Sequence, residues 1–209
     1  MSRLEEYKDR YKSIKIERDS GPRAAGVLTM TFHTDGGPLR WGAVPVTELP
    51  HAFRDVAEDS FNHVVIMTGT GAEFSGTRGF KIGAPDQLPY RRATDQRRIR
   101  TGGHLLENLL RIEVPVISAV NGPAWRHAEI ALLADIVLAA EDALFQDSAH
   151  FVNGLPPGDG QHVILPMVMG INRARYYLLT GQVLTARDAE RYGLVNEVLP
   201  REKLMDRAQ

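Results

Sequence analysis

Residues 63–71 read His-Val-Val-Ile-Met-Thr-Gly-Thr-Gly, a continuous apolar run that stops at a glycine-rich turn. An uninterrupted apolar run of this length is typical of a strand that is buried on both faces. In the segment before it, residues 46–59, apolar side chains return at helical spacing as Leu49, Phe53 and Val56. A helix therefore leads into a buried strand.

The same alternation continues towards the C-terminus. Helical spacing over residues 104–110 precedes an apolar run at 114–120, and two further short apolar runs cover 135–140 and 144–146. Strands that alternate with helices are typical of right-handed crossover units in a parallel sheet. The sequence therefore predicts an α/β fold, with functional loops leaving the ends of the strands.

The two ends of the chain differ from this central pattern. Residues 13–19 and 26–33 alternate in the manner of strands and predict an antiparallel hairpin. Residues 72–95 are rich in Gly, Pro and polar side chains and predict a loop excursion, and we expect residues 76–95 to shape the pocket. From residue 160 onwards the pattern is mostly helical, and the last segment, 202–209, is long enough for only about two turns. We therefore expect a shortened helical C-terminal part.

Composition limits the possible function classes. The 209 residues are 43% hydrophobic with a formal net charge of -1, which predicts one domain over residues 1–209 and no general attraction to nucleic acid or membranes. No cysteine is present, which excludes disulfides, thiolate metal sites and a cysteine nucleophile. The sequence has neither a signal-peptide core nor an apolar run near the ~20 residues of a membrane span. We expect a soluble, cytoplasmic protein.

A histidine and an aspartate stand out as a candidate general base. His150 and Asp159 flank the sequence Gly-Leu-Pro-Pro-Gly. An imidazole has an ordinary pKa of about 6.5, which suits deprotonation of water near neutral pH. A carboxylate that accepts its other N–H fixes the tautomer and stabilises the imidazolium. In the alternative interpretation, His150 is structural and Asp159 is the N-cap of the following helix.

Two further side chains are candidate hydrogen-bond donors to a developing oxyanion. The indole N–H of Trp41 and a ring N–H of His127 have the required chemistry. Without further context, Trp41 is equally well interpreted as a core aromatic and His127 as a packed turn residue. No histidine and carboxylate spacing typical of a metal site is present, so we expect no metal ion. We expect no cofactor either.

Three blocks in order, residues 64–74, 116–124 and 135–140, resemble the crotonase (enoyl-CoA hydratase/isomerase) superfamily, as do residues 178–181 and 192–198 nearer the C-terminus. The resemblance covers nearly the whole chain. It implies a spiral of ββα turns, a site between two sheets, and a homotrimer or hexamer.

One departure from that superfamily concerns substrate class. Members that act on CoA thioesters hold the thioester oxygen on two backbone N–H groups, one of them in a Gly-Gly-Gly turn. Here that turn reads Trp125-Arg126-His127-Ala128. Since glycine allows close backbone approach to a ligand, these bulky residues disfavour the ordinary thioester cradle.

The chain is more similar to a particular group in the superfamily, the β-diketone hydrolases related to 6-oxocamphor hydrolase. The shared features are Trp41, Asn121-Gly122-Pro123, His127-Ala128-Glu129-Ile130, Phe145-Gln146-Asp147, His150-Phe151 and Pro157-Gly158-Asp159-Gly160. This resemblance implies that His150 and Asp159 form the catalytic dyad, and that His127 and Trp41 bind a carbonyl oxygen.

The leading hypothesis is thus a hydrolase that cleaves a carbon–carbon bond of a small cyclic β-diketone. Glu129, Arg78 and Phe151 are candidate substrate-binding residues, and Glu129 also aligns with one of the two catalytic glutamates of enoyl-CoA hydratases. Two alternatives stay open. One is a hydratase or isomerase acting on a CoA thioester, and the other is a crotonase-like assembly protein without catalysis.

Overall fold

The computed structural model describes residues 2–21, 25–76, 78 and 104–209. The strands are β1 (Ile14–Arg18), β2 (Val27–Phe32), β3 (Val64–Gly69), β4 (Val116–Val120), β5 (Ile136–Ala140), β6 (Leu144–Phe145), β7 (Leu184–Thr185) and β8 (Glu197–Leu199). The helices are α1 (Leu4–Tyr7), α2 (Ala43–Ala57), α3 (helical over 104–109), α4 (Ala128–Leu132), α5 (Gln161–Met169), α6 (Ile171–Thr180), α7 (Ala186–Arg191) and α8 (Arg201–Ala208). A 3₁₀ turn covers Phe151–Asn153.

The main sheet has six strands in the order β1-β2-β3-β4-β5-β8. The hairpin β1–β2 is antiparallel, as the sequence predicts, and every other neighbouring pair is parallel. Parallel neighbours need a crossover connection, and helices supply it between the central strands. The predicted α/β class is confirmed.

The apolar runs of the central strands are continuous because both faces of the sheet are covered. In β3, Val65 and Met67 point into the main core, while Ile66 points to the opposite face. There Ile66 belongs to a second cluster that includes Leu204 and Ala208 of α8. Since successive side chains of a strand alternate between faces, both must be apolar when both are buried.

A second, shorter ladder of backbone pairs runs beside the main sheet. Gly76 pairs with Arg40, Ser75 pairs with Ala124, and Ala124 pairs with Phe145 of β6. The ladder then continues from β6 to β7. Each of its members before β7 follows a strand of the main sheet along the chain, so successive turns contribute one segment to each layer. This is the repeated ββα arrangement that the family resemblance implies.

Some predicted features differ from the structure or lie outside it. Helix α4 was not predicted, because its five residues are too few for apolar periodicity to show. The short strand β8 was also missed, for the same reason. Most of the predicted excursion at 72–95 lies outside the described residues. None of the helices in the described ranges has the length and apolar content that crossing a bilayer requires.

Asp59, just after α2, connects the N-terminal segment to the rest of the structure through hydrogen bonds. Its buried carboxylate accepts hydrogen bonds from Tyr7 Oη at 3.0 Å, Arg18 Nη1 at 3.1 Å and the backbone N–H of Phe61 at 3.2 Å. Burial acts to raise the pKa of Asp59, but these donors outweigh burial, so its pKa is lowered. Ionised Asp59 therefore joins α1, β1 and α2.

We expect Asp59→Ala to destabilise the protein by about 3–5 kcal/mol, because it leaves the Arg18 guanidinium, whose side chain is 11% exposed, without its carboxylate partner. Because the folded-state pKa is lowered, this stabilisation is present above the ordinary pKa of aspartate and is lost as the pH falls towards the folded value. Urea unfolding at several pH values measures both effects. Asp206 is exposed, so Asp206→Ala is the control, and its free energy of unfolding is expected within about 0.5 kcal/mol of wild type. Equal destabilisation by the two substitutions would contradict the role assigned to Asp59.

Candidate active site

The structure brings together the four side chains that the sequence singled out, although they lie far apart along the chain. The rings of Trp41 and His127 are in contact, with centroids 3.9 Å apart and planes inclined at 41°. Asp159 Oδ2 lies 3.4 Å from His150 Nε2 and 3.9 Å from His127 Nε2. The two imidazoles thus face the same carboxylate oxygen.

Asp147, not Asp159, orients the His150 ring. His150 Nδ1 lies 2.8 Å and 3.0 Å from the two carboxylate oxygens of Asp147, which also accepts the backbone N–H of His150 at 3.2 Å. The sequence-based prediction that Asp159 accepts the second ring N–H is therefore corrected, since that nitrogen is taken by Asp147. Asp159 stands instead beside Nε2, the nitrogen that faces the rest of the site.

Asp147 stands in the Phe145-Gln146-Asp147 motif, but the sequence pattern predicts no role for it. Its spacing of three residues from His150 is the signal that was available, because a turn of chain brings such neighbours together. Asp147 is buried, and β6 ends two residues before it. The end of this second-layer strand therefore fixes the carboxylate that holds the ring.

His127 repeats the arrangement of His150. Its Nδ1 lies 2.6 Å from Oε1 of Glu129, which is 0% exposed, and its Nε2 faces Asp159. Glu129 is positioned by the first turn of α4, and His127 is the residue before that helix. Each imidazole is thus held at Nδ1 by a buried carboxylate and directs Nε2 towards one shared aspartate.

Two of the site residues have strained backbone conformations. His127 has φ 53° and Asp159 has φ 51°, and in the described part of the chain Asp35 is the only other non-glycine residue with positive φ. This left-handed conformation costs of order 1–3 kcal/mol and is found most often at functional sites. Helix α5 begins at Gln161 without a side-chain cap, so the interpretation of Asp159 as its N-cap is wrong.

The carboxylates set the electrostatics of the two histidines. Burial acts to lower the pKa of His127, but Glu129 and Asp159 outweigh it and the pKa is raised. Burial likewise opposes protonation of His150, but Asp147 and Asp159 raise its pKa above the ordinary value. Burial raises the pKa of Glu129. The site therefore holds protons more tightly than isolated side chains would.

The indole of Trp41 already has a hydrogen-bond acceptor. Its Nε1 donates to Ser75 Oγ at 2.5 Å, and the Ser75 hydroxyl donates to the backbone carbonyl of Arg126. The donor role predicted for Trp41 therefore requires the indole to exchange Ser75 for a substrate oxygen. Ser75 is a site residue that sequence reasoning missed, because nothing in the pattern pairs it with Trp41.

The remaining predicted residues lie around this cluster. Arg78 donates from Nε to Gln146 Oε1 at 3.2 Å, and its guanidinium carbon lies 4.7 Å from the ring centroid of Trp125. Phe151, in the 3₁₀ turn after His150, is 44% exposed. In the described ranges no group of three or more His, Cys, Asp or Glu side chains is arranged to hold a metal ion.

Glycine at position 158 allows the backbone to lie against the His150 ring. A Cβ atom at Gly158 would be 2.9 Å from His150 Nε2. Gly160 has φ 85°, and a Cβ atom there would be 2.3 Å from a methyl carbon of Leu106. The glycines on either side of Asp159 thus allow its segment to pass close to the imidazole and pack against α3.

Comparisons with known proteins agree with this architecture. The sequence profile of the enoyl-CoA hydratase/isomerase family matches residues 24–209. A β-diketone hydrolase from the cyanobacterium Anabaena sp. PCC 7120, solved with (S)-3-oxocyclohexyl acetic acid, is 40% identical, with a TM-score of 0.88 over 97% of this chain and 78% of that one. A probable enoyl-CoA hydratase/isomerase from Mycobacterium abscessus is 25% identical, with a TM-score of 0.76 over 94% and 72%.

Among curated proteins, a probable enoyl-CoA hydratase from Mycobacterium tuberculosis (strain ATCC 25618 / H37Rv) is 36% identical over 169 residues. The match covers 76% of this chain, and the chain spans 57% of the length of that relative. Similarity therefore extends to proteins whose names point to two different reactions.

We expect Gly158→Ala to push the His150 ring away from its carboxylate partners and so to lower the pKa of His150 towards its ordinary value. The measurement is an NMR titration of the His150 ring. Gly42→Ala is the matched control, since a Cβ atom there meets nothing within 4 Å. An unchanged His150 titration in a folded Gly158→Ala protein would contradict this expectation, because it would show that the added methyl group does not displace the ring.

Proposed function

The chain belongs to the enoyl-CoA hydratase/isomerase family, that is, to the crotonase superfamily, and within it we propose a hydrolase that cleaves a carbon–carbon bond of a small cyclic β-diketone. The observation that carries this proposal is the pair of imidazoles, each held at Nδ1 by a buried carboxylate and each directing Nε2 to Asp159. The 40% identity to a β-diketone hydrolase supports it.

The first step is the addition of water to one carbonyl group of the diketone. His150 Nε2 removes a proton from water, and the resulting hydroxide attacks the carbonyl carbon. Asp147, fixed on Nδ1, stabilises the imidazolium that forms and keeps Nε2 directed at the water. Asp159, 3.4 Å from Nε2, adds a second negative charge beside the protonated ring.

The second step breaks the bond between the hydrated carbonyl carbon and the central carbon. The hydrated carbon becomes a carboxylic acid, and the electron pair moves into an enolate on the other carbonyl. His127 Nε2 donates a hydrogen bond to the enolate oxygen, with Trp41 packed on its ring. The proton held by His150 then returns to the enolate carbon, so that the products contain the elements of one water molecule.

A CoA-thioester hydratase or isomerase is the second candidate, because curated relatives carry that name and Glu129 is present. In such an enzyme, a glutamate that exchanges protons with substrate must reach it. Glu129 is 0% exposed, and its Oε1 is occupied by His127. Trp125 and Arg126 also replace a glycine turn, and their side chains disfavour close approach of a thioester to the backbone. These observations favour the diketone.

We expect the purified protein to consume a bicyclic β-diketone, followed as loss of diketone absorbance, and His150→Ala to lower kcat by about 10³–10⁴-fold. His104→Ala, an exposed histidine of α3, is the matched control and should keep full activity. Full activity in folded His150→Ala would refute the assignment of the base. No turnover of any diketone, combined with turnover of an enoyl-CoA, would favour the second candidate, and binding without turnover of either would favour an assembly protein.

The pH profile tests the role of Asp147 separately. Because a base must be unprotonated and the pKa of His150 is raised, kcat/KM should fall on acidification with a midpoint above the ordinary value of about 6.5. Asp147→Asn removes a charge that favours the imidazolium, so it should move this midpoint to lower pH and reduce the maximal rate. A midpoint that stays in place in Asp147→Asn would contradict the pairing.

A further inference from the structure

Glu129 has an environment that the proposed mechanism leaves unexplained. It is fully buried, its Oε1 lies 2.6 Å from His127 Nδ1, and its Oε2 has no hydrogen-bond partner in the described part of the chain. A buried carboxylate with an unpaired oxygen is costly unless its charge is neutralised. The neutralising group within hydrogen-bond distance is the His127 ring.

Counting protons on this pair constrains what His127 can do. If Glu129 is ionised and His127 is neutral, the ring proton sits on Nδ1 to bond Glu129, and Nε2 is then only an acceptor. Nε2 carries a hydrogen only if the pair holds one proton more. That state is either carboxylate with imidazolium, or carboxylic acid with the Nε2–H tautomer, and both have zero net charge.

We propose that Glu129 is a positioning residue that shares a proton with His127 Nδ1, so that His127 Nε2 keeps a hydrogen to donate to a substrate oxyanion. The identity of that acceptor rests on the proposed function, whereas the protonation of the pair does not. The left-handed backbone at His127, φ 53°, is part of the same arrangement, because it places the ring and the first turn of α4 within reach of each other.

The groups around the pair favour the neutral state. Asp159, 3.9 Å from Nε2, favours protonation of the His127 ring, while Arg126 opposes it. The carboxylate charge of Glu129 also acts to raise the pKa of His150 and the pKa of Tyr177. With burial disfavouring the Glu129 carboxylate, the pKa values of both partners are raised, so the pair retains its proton below the raised value and loses it above.

The direct test is ¹⁵N NMR of the His127 ring in the wild-type protein between pH 6 and 9, with no substrate present. We expect Nε2 to be protonated at pH 7, together with either a protonated or a hydrogen-bonded, unprotonated Nδ1. An Nε2 without hydrogen beside a protonated Nδ1 at pH 7 would overturn the proposal. This readout is independent of diketone turnover, so failure of the proposed function and failure of this inference are distinguishable.

Two substitutions then separate positioning from packing. In Glu129→Gln, the amide N–H donates to Nδ1 and fixes the neutral Nε2–H tautomer, so kcat should stay within about tenfold of wild type. In Glu129→Ala, kcat should fall by about 10²–10³-fold, as it does when an oxyanion donor is lost. The fall of kcat at high pH, where the wild-type pair loses its proton, should disappear in Glu129→Gln. Glu202→Gln, on the exposed face of α8, is the control for the same chemical change.

A merely structural Glu129 predicts a different pattern. Glu129→Gln and Glu129→Ala would then affect thermal stability, while folded Glu129→Gln would keep the high-pH limb of wild type and would lose the Nε2 hydrogen of His127 at the same pH as wild type. That pattern would overturn the inference. The NMR signal of Nε2 reports on Glu129→Gln even when the protein turns over no tested substrate.

Discussion

The second ladder is the constraint on which the rest of the site depends. Ala124 occupies its centre: its N–H donates to Leu144 O at 2.7 Å, its carbonyl accepts from Gln146 N at 3.3 Å, and it pairs with Ser75 on the other side. Trp41, Ser75, His127 and Asp147 lie in this ladder or within three positions of it, so backbone hydrogen bonds between segments remote in sequence set their spacing. His127 and Asp147 are placed by the same central residue, which is why two histidine–carboxylate pairs meet across one aspartate.

In the proposed mechanism the two histidine–carboxylate pairs need opposite protonation states. His150 must be free of its proton to act as a base, whereas His127 must keep one to act as a donor. Both lie near Asp159, so that carboxylate cannot distinguish them. The distinction comes from Nδ1, where His150 meets Asp147 and His127 meets the fully buried Glu129, an oxygen of which has no partner in the described chain. Burial of the second carboxylate favours retention of a proton on that pair.

Much of the architecture could be predicted because it follows from short-range rules. The continuous apolar runs of β3 and β5 identify strands covered on both faces, and the candidate pair His150 and Asp159 was accessible because few residue types do acid–base work at neutral pH. The assignment of ring nitrogens was not accessible. Sequence spacing cannot state which nitrogen of His150 meets Asp147, and the five residues of α4 are too short to show periodicity. Ser75 reaches Trp41 through tertiary pairing that no local pattern records.

Membership in the superfamily fixes the scaffold and leaves the reaction to side chains. At the turn where the family resemblance places glycines in thioester-processing members, the backbone of this chain is left-handed at His127. A glycine accepts that conformation without strain and exposes its backbone N–H to a ligand, whereas histidine accepts it at a cost and places a ring in the same space. In the proposed mechanism the donor therefore changes from a backbone amide, which cannot titrate, to an imidazole, which can. A donor that titrates needs a partner that holds its proton, and we propose this role for the buried Glu129.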